Sequence, residues 1–121
     1  MISEQIQTLI QNFSRRRIRC EYFEHSADLL NWLTSELPKN STIGIGDSVT
    51  MEETGIFSLL RSSDYALLDK YDPTLTKDNK KKLYRENFSA DAFFLGANAI
   101  SMTGEIVQID GNGSRLAPMI Y

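Results

Sequence analysis

The chain has 121 residues, 41% hydrophobic and 24% charged, which fits one globular domain, residues 1–121, and leaves no room for a second. Its 13 Lys and Arg against 16 Asp and Glu give a formal charge of −3, so no general field draws it onto nucleic acid or anionic lipid. One cysteine, Cys20, and one histidine, His25, exclude a disulfide framework, a Cys/His zinc site and an iron–sulfur ligand set, and no metal centre is expected.

In chain order, Ile6, Leu9, Ile10, Phe13 and Arg17 recur at helical spacing and predict an amphipathic first helix. Its far end carries Arg15-Arg16-Arg17, read better as cations beside the negative end of a helix dipole than as an RNA-binding arm, since no aromatic residues alternate with them. Cys20-Glu21-Tyr22-Phe23 predicts a short strand. Ser26 then reads as the N-cap of a helix burying Leu29, Leu30, Leu33 and Leu37, ended by Pro38. Thr42-Ile43-Gly44-Ile45-Gly46 reads as a buried strand leaving through glycine, and Met51 to Arg61 as the helix after it. A further strand fits Tyr65 to Leu68, and a helix fits Thr76 to Asn87, seated by Leu83 and Tyr84 with Lys80-Lys81-Lys82 as a solvated face. Asp91 to Gly96 predicts a fully buried strand, and Glu105 to Ile109 a half-exposed one after the turn Thr103-Gly104. Strands alternating with helices predict an α/β domain with a largely parallel sheet. Apolar runs such as Ala92-Phe93-Phe94-Leu95 are far too short to span a bilayer and no signal peptide opens the chain, so a cytoplasmic protein is expected.

The stretch from Gly44 to Glu53 carries the most chemistry. Thr50 and Glu53 have capping-box spacing, which would fix the helix start. Gly44 and Gly46 allow close backbone approach to a ligand, and the amides before the cap, with the Ser48 hydroxyl, are suited to a phosphate or carboxylate. Asp47, Glu52 and Glu53 oppose an anion there, so a purely structural turn explains the pattern equally well. A second constellation runs through Asn98, Glu105 and Asp110-Gly111-Asn112-Gly113-Ser114-Arg115. Glu105 or Asp110 could act as a general base or hold a hydroxyl, and Arg115 could clamp an acidic substrate. The alternative is an ordinary Asn112-Gly113 turn with Arg115 paired to Asp110 to hold the loop. Candidate ligand contacts are therefore Gly44, Gly46, Asp47, Ser48, Thr50, Asn98, Gly111, Gly113 and Arg115, and candidate catalysts Glu105 and Asp110. Cys20 reads as a small buried hydrophobe and His25 as a surface or cap residue.

Taken together, Gly44-Ile-Gly46-Asp47-Ser48-Val-Thr50-Met-Glu-Glu53-Thr-Gly55, Ala90-Asp91-Ala-Phe-Phe-Leu-Gly96-Ala-Asn98-Ala99-Ile100 and Thr103-Gly104-Glu105-Ile-Val-Gln-Ile109-Asp110-Gly111-Asn112-Gly113-Ser-Arg115 resemble the LUD (lactate-utilisation) domain family, in particular its C-type subunit. The likeness runs from about Thr42 to the end, and the N-terminal elements agree only in character. It implies a Rossmann-like fold of the ribose-phosphate isomerase and CoA-transferase group, whose glycine-rich strand ends bind phosphorylated or CoA-linked ligands. It also implies an accessory role in oxidising L-lactate to pyruvate beside separate iron–sulfur subunits. The family pattern continues past Ala117-Pro118, so a sheet cut short at Tyr121 is expected, with another copy or a partner covering its edge in a homodimer or larger assembly. Two other functions fit the residues: a sugar-phosphate isomerase-like or acyl-transfer enzyme using Glu105 or Asp110 as acid/base, and an interaction module without a small-molecule site.

Overall fold

The computed structural model describes residues 2–121. The first helix, α1 (Glu4–Arg15), starts where the Ser3 hydroxyl accepts from the Ile6 amide, and it buries Phe13. It ends before Arg17, whose φ of 61° takes it out of the helix, so Arg17 is not part of the apolar stripe. The stretch Cys20 to Phe23 is not a strand: no neighbour pairs with it, and its side chains are occupied elsewhere, with Phe23 tilted against Trp32. Helix α2 (Ser26–Glu36) is capped by His25 through its extended backbone, without a side-chain bond, so Ser26 is the first helical residue and not the cap. Of the four leucines expected inside, Leu33 is buried while Leu29, Leu30 and Leu37 lie partly buried against the core.

Strand β1 (Thr42–Ile45) is the centre of a three-stranded parallel sheet, flanked by β2 (Ala66–Leu68) and β3 (Ala92–Phe94) in the order β2-β1-β3. Ile43 and Ile45 are almost wholly enclosed, and with Leu33, Met51, Ile56, Phe57 and Leu60 they form the core. The protein is thus an α/β domain of Rossmann-like type. Strand β3 is half-buried where full burial was expected, because only β1 pairs with it and its other edge is open. The single helix expected from Met51 to Arg61 is two short ones, α3 (Val49–Glu53) and α4 (Ile56–Leu60). Gly55, at φ 84°, makes the break, a left-handed conformation that L side chains avoid.

Helix α5 (Lys77–Glu86) is capped by the Thr76 hydroxyl, seats Leu83 in the interior and runs into a 3-10 turn, Asn87–Ser89. Beyond β3 the chain forms a separate antiparallel hairpin, β4 (Ala99–Ile100) with β5 (Ile106–Val107), and then the short helix α6 (Leu116–Ile120). Ile106 and Val107 are both exposed, so β5 has no buried face of the kind the alternation predicted. The hairpin turn is fastened to α1: Asn12 donates to the Met102 carbonyl at 2.7 Å, Arg16 donates to the Thr103 carbonyl at 3.1 Å, and Gly104 lies on the helix backbone.

Because the three sheet strands are parallel, their carboxyl ends open on one side. There β1 delivers Gly46-Asp47-Ser48, β2 delivers Asp69-Lys70-Tyr71, and β3 delivers Leu95-Gly96. The chain leaves β1 for β2 on one flank and returns to β3 on the other, which opens a crevice between the β1 and β3 ends. That is where open α/β sheets hold ligands.

Candidate functional site

The β1 loop is held from below and above. The Gly46 amide donates to the Phe94 carbonyl at 2.7 Å, continuing the sheet, while a Cβ on Gly46 would stand 2.7 Å from Cγ of Arg115. Glycine here lets Arg115 cross the strand end. Ser48 is extended, at φ −164° and ψ 119°, and its hydroxyl accepts from the Met51 amide at 3.1 Å. The cap of α3 is therefore Ser48 and not Thr50, and the expected Thr50–Glu53 capping box does not form, because the helix begins with Val49. Thr50 lies within the helix, its carbonyl accepting the Thr54 hydroxyl at 2.7 Å. With Ser48 serving as a cap, Ser48→Ala removes about 1 kcal/mol of helix stability along with the hydroxyl, so it does not isolate a ligand contact.

Asp47 is the hub. Its Oδ1 accepts from Nζ of Lys70 at 2.8 Å and from the Tyr71 hydroxyl at 2.7 Å. Lys70 is 8% exposed, whereas the Asp47 side chain is 62% exposed, so the pair joins an enclosed cation to a carboxylate that water reaches. The Lys70 hydrogen bond, then that of Tyr71, hold the Asp47 carboxyl below its ordinary range. Burial, then the bond to Asp47, push the Tyr71 phenol well above its own. Lys70 Nζ also lies 5.5 Å from the Tyr71 ring centroid and 5.6 Å from that of Tyr84, positions favourable to an ammonium.

Asp47 separates two cavities. The smaller, about 230 Å3, is walled by Ser48, Thr50, Gly96, Ala97 and Arg115. The larger, about 500 Å3, takes in Lys70, Tyr71, Lys80, Tyr84, Asp110 and Gly111. Lys80 is half-buried in that wall, unlike the exposed Lys81 and Lys82 beside it in the run read as solvated.

The second constellation closes over this side. Asp110 Oδ2 accepts the backbone amides of Arg115 at 2.7 Å and Leu116 at 2.9 Å, and the Leu116 bond, then the Arg115 bond, lower its carboxyl from the ordinary range. The loop is thus held by Asp110, but through the amide of Arg115 and not through its guanidinium. The guanidinium donates instead to Asn98 Oδ1 at 2.8 Å and to the Ile109 carbonyl at 2.6 Å. Asn112 accepts from the Ser114 amide at 3.1 Å, and Gly113, at φ 79°, completes the expected turn.

Of the residues singled out from the sequence, Gly46, Asp47, Ser48, Thr50, Asn98, Asp110, Gly111 and Arg115 gather around the strand ends, with Gly113 in the adjoining turn. Gly44 sits deeper, between Leu68 and Phe93 in the sheet, where a Cβ would meet the Asn87 side chain at 2.5 Å. Glu105 stands at the turn end of the hairpin, held by the Thr103 hydroxyl at 2.7 Å and the Ser101 hydroxyl at 3.3 Å. These bonds, Thr103 first, lower its carboxyl. Lys70, Tyr71, Lys80 and Tyr84 were not read as site residues. The signal for the first two is their place just past Asp69 at the end of β2, where polar residues follow an apolar strand. Among the described residues no three His, Cys, Asp or Glu side chains group to hold a metal ion, and no helix is long and apolar enough to cross a membrane.

A crevice at the carboxyl ends of an open parallel sheet, lined by Lys70, Lys80, Arg115 and Tyr71 together with Asp47 and Asp110, marks the chain as a Rossmann-like α/β domain. The LUD domain matches residues 6–121, and the chain belongs to that family, which is associated with lactate utilisation proteins. No curated protein and no solved structure matches the chain.

Proposed function

We propose that the chain is a C-type accessory component of L-lactate oxidation to pyruvate, working beside iron–sulfur subunits, and that its strand-end crevice binds a small anionic or phosphorylated ligand. The observation that carries the binding reading is the set of cations around Asp47: enclosed Lys70, half-buried Lys80 across the larger cavity, and Arg115 on the wall of the smaller. Lys70 offsets the charge of Asp47, which removes the main objection to an anion beside this loop. Supporting the accessory reading over acid/base catalysis, Glu105 is held by the Thr103 and Ser101 hydroxyls at the hairpin turn and Asp110 by the amides of Arg115 and Leu116, which gives both carboxylates a structural part.

Calorimetric titration of the whole chain with inorganic phosphate, L-lactate and pyruvate tests this. Arg115→Ala should weaken an anion held in the smaller cavity, and Lys80→Ala one held in the larger, by about tenfold, the effect of one charged hydrogen bond. Affinity unchanged in both variants would move the site elsewhere and leave the crevice structural.

The same reading has the chain acting in the cytoplasm as a homodimer or larger, without nucleic acid or membrane. Supporting the assembly are the open outer edges of β2 and β3 and the exposed aliphatic residues Ile100, Ile106, Val107 and Ile109 of the hairpin region. Light scattering is expected to give at least twice the mass of one chain, and a monomer across a wide concentration range would sink it.

A further inference from the structure

Past Tyr84, the larger cavity adjoins a second one of different character. This adjoining cavity is about 230 Å3 and is walled by Tyr84, Arg85, Phe88, Ala117 and Pro118, with Asn112 and Ser114 common to both. Phe88 is 39% exposed and meets the Tyr121 ring edge-on at 5.2 Å between centroids. One end of the combined cleft therefore carries the ammonium groups of Lys70 and Lys80 beside the carboxylates of Asp47 and Asp110, the other is aromatic, and Tyr84 is shared by the two.

We propose that the ligand is a nucleoside phosphate, its phosphate held by Lys70 and Lys80, its sugar hydroxyls by Asp110, and its base against Tyr84 and Phe88. The inference rests on the anion-binding reading above and adds the chemistry of the rest of the molecule. Four observations carry it. A bare phosphate or a three-carbon acid fills only a small part of the cleft, which falls in the size range of sites for larger organic ligands. Lys70 gives Asp47 one of its three N–H donors and shares its cavity with Lys80, so donors for a phosphate stand at one end while the Tyr84 and Phe88 rings stand at the other. Asp110 is an anion fixed by two backbone amides, which makes it an acceptor for hydroxyls between the two ends. Arg85, Asn112 and Ser114 border the aromatic end, so it is matched to a heterocycle with polar edges better than to an alkyl chain.

The test is calorimetry on the whole chain with AMP, ribose 5-phosphate and inorganic phosphate. AMP should bind about tenfold or more tightly than ribose 5-phosphate, the contribution of one stacked base. Phe88→Leu, which keeps apolar packing but removes the ring, and Phe88→Ala should both erase that preference and leave ribose 5-phosphate unchanged. Lys80→Ala should weaken AMP and ribose 5-phosphate alike. Equal affinity for AMP and ribose 5-phosphate, or a preference that survives both Phe88 variants, overturns the nucleotide inference while the anion reading stands. Failure of all three probes to bind overturns both.

Discussion

Asp47→Ala is expected to lower the stability of the domain by about 2 kcal/mol, whereas Lys70→Met should leave it nearly unchanged. Removing the carboxylate strands an ammonium that is 8% exposed and has Asp47 as its ion-pair partner. Breaking a fully buried pair in this way costs roughly 3–5 kcal/mol, and the 62% exposure of the Asp47 side chain lets water in and reduces that figure. Lys70→Met keeps an apolar stem beside Tyr71 and Tyr84 and leaves a carboxylate that water and the Tyr71 hydroxyl already solvate. The double variant should recover most of the loss. Urea denaturation of the four proteins reads the coupling, and additive single effects would show that the pair is not a unit. The pH dependence has a definite sign. Lys70, then Tyr71, depress the Asp47 carboxyl in the folded state, so its stabilisation is complete above the ordinary carboxylate range and is lost as pH falls through the depressed folded value. The gap between the wild type and Asp47→Ala should close over that acidic interval.

The parallel strands were legible because each is a short apolar run with a glycine or a polar pair at its end, and their alternation with helices leaves few other folds. Cys20 to Phe23 misled because its apolar residues serve side-chain packing, Phe23 on Trp32, in a segment with no strand to pair with. The cap of α3 misled for a local reason: both Ser48 and Thr50 are capping residues, and backbone dihedrals, not residue type, decide between them. Asp47, Ser48, Asp110 and Arg115 could be picked out because they cluster with glycines in two stretches of chain. Their partners could not. Lys70 and Tyr71 are 23 and 24 positions from Asp47, and only the parallel pairing of β2 with β1 brings them to the same sheet end. Arg115 shows the same limit, since its guanidinium donates to Asn98, 17 residues back across the hairpin, and to the Ile109 carbonyl, and not to the nearby Asp110 carboxylate.

A graded glycine series is expected to show that the site depends on the hairpin as well as on the sheet. Gly111 has open space where a Cβ would go, so Gly111→Ala should change stability by less than about 0.5 kcal/mol. Gly113 has equal room but a φ of +79°, and alanine there should cost about 1 kcal/mol in backbone strain alone. Gly104 combines a φ of +86° with Asn12 backbone atoms 3.0 Å from the would-be Cβ, and a helix backbone cannot turn aside as a side chain can. Strain and overpacking together put Gly104→Ala at roughly 3 kcal/mol. A two-stranded hairpin exposed on both strands has little else to hold it, so the loss should appear first as the hairpin lifting from α1. The amides of Asn98, Ser101 and Ile109, bonded within or beside the hairpin, should then exchange with solvent faster while the Gly46 amide keeps its protection. Lifting also frees Asn98 from Arg115 and Gln108 from the Gly96 carbonyl, to which it donates at 2.7 Å, so anion affinity should fall with Gly104→Ala. Unchanged exchange at Asn98 and Ser101 in Gly104→Ala would mean that α1 yields instead of the hairpin, and the proposed dependence of Arg115 on this anchor would be wrong.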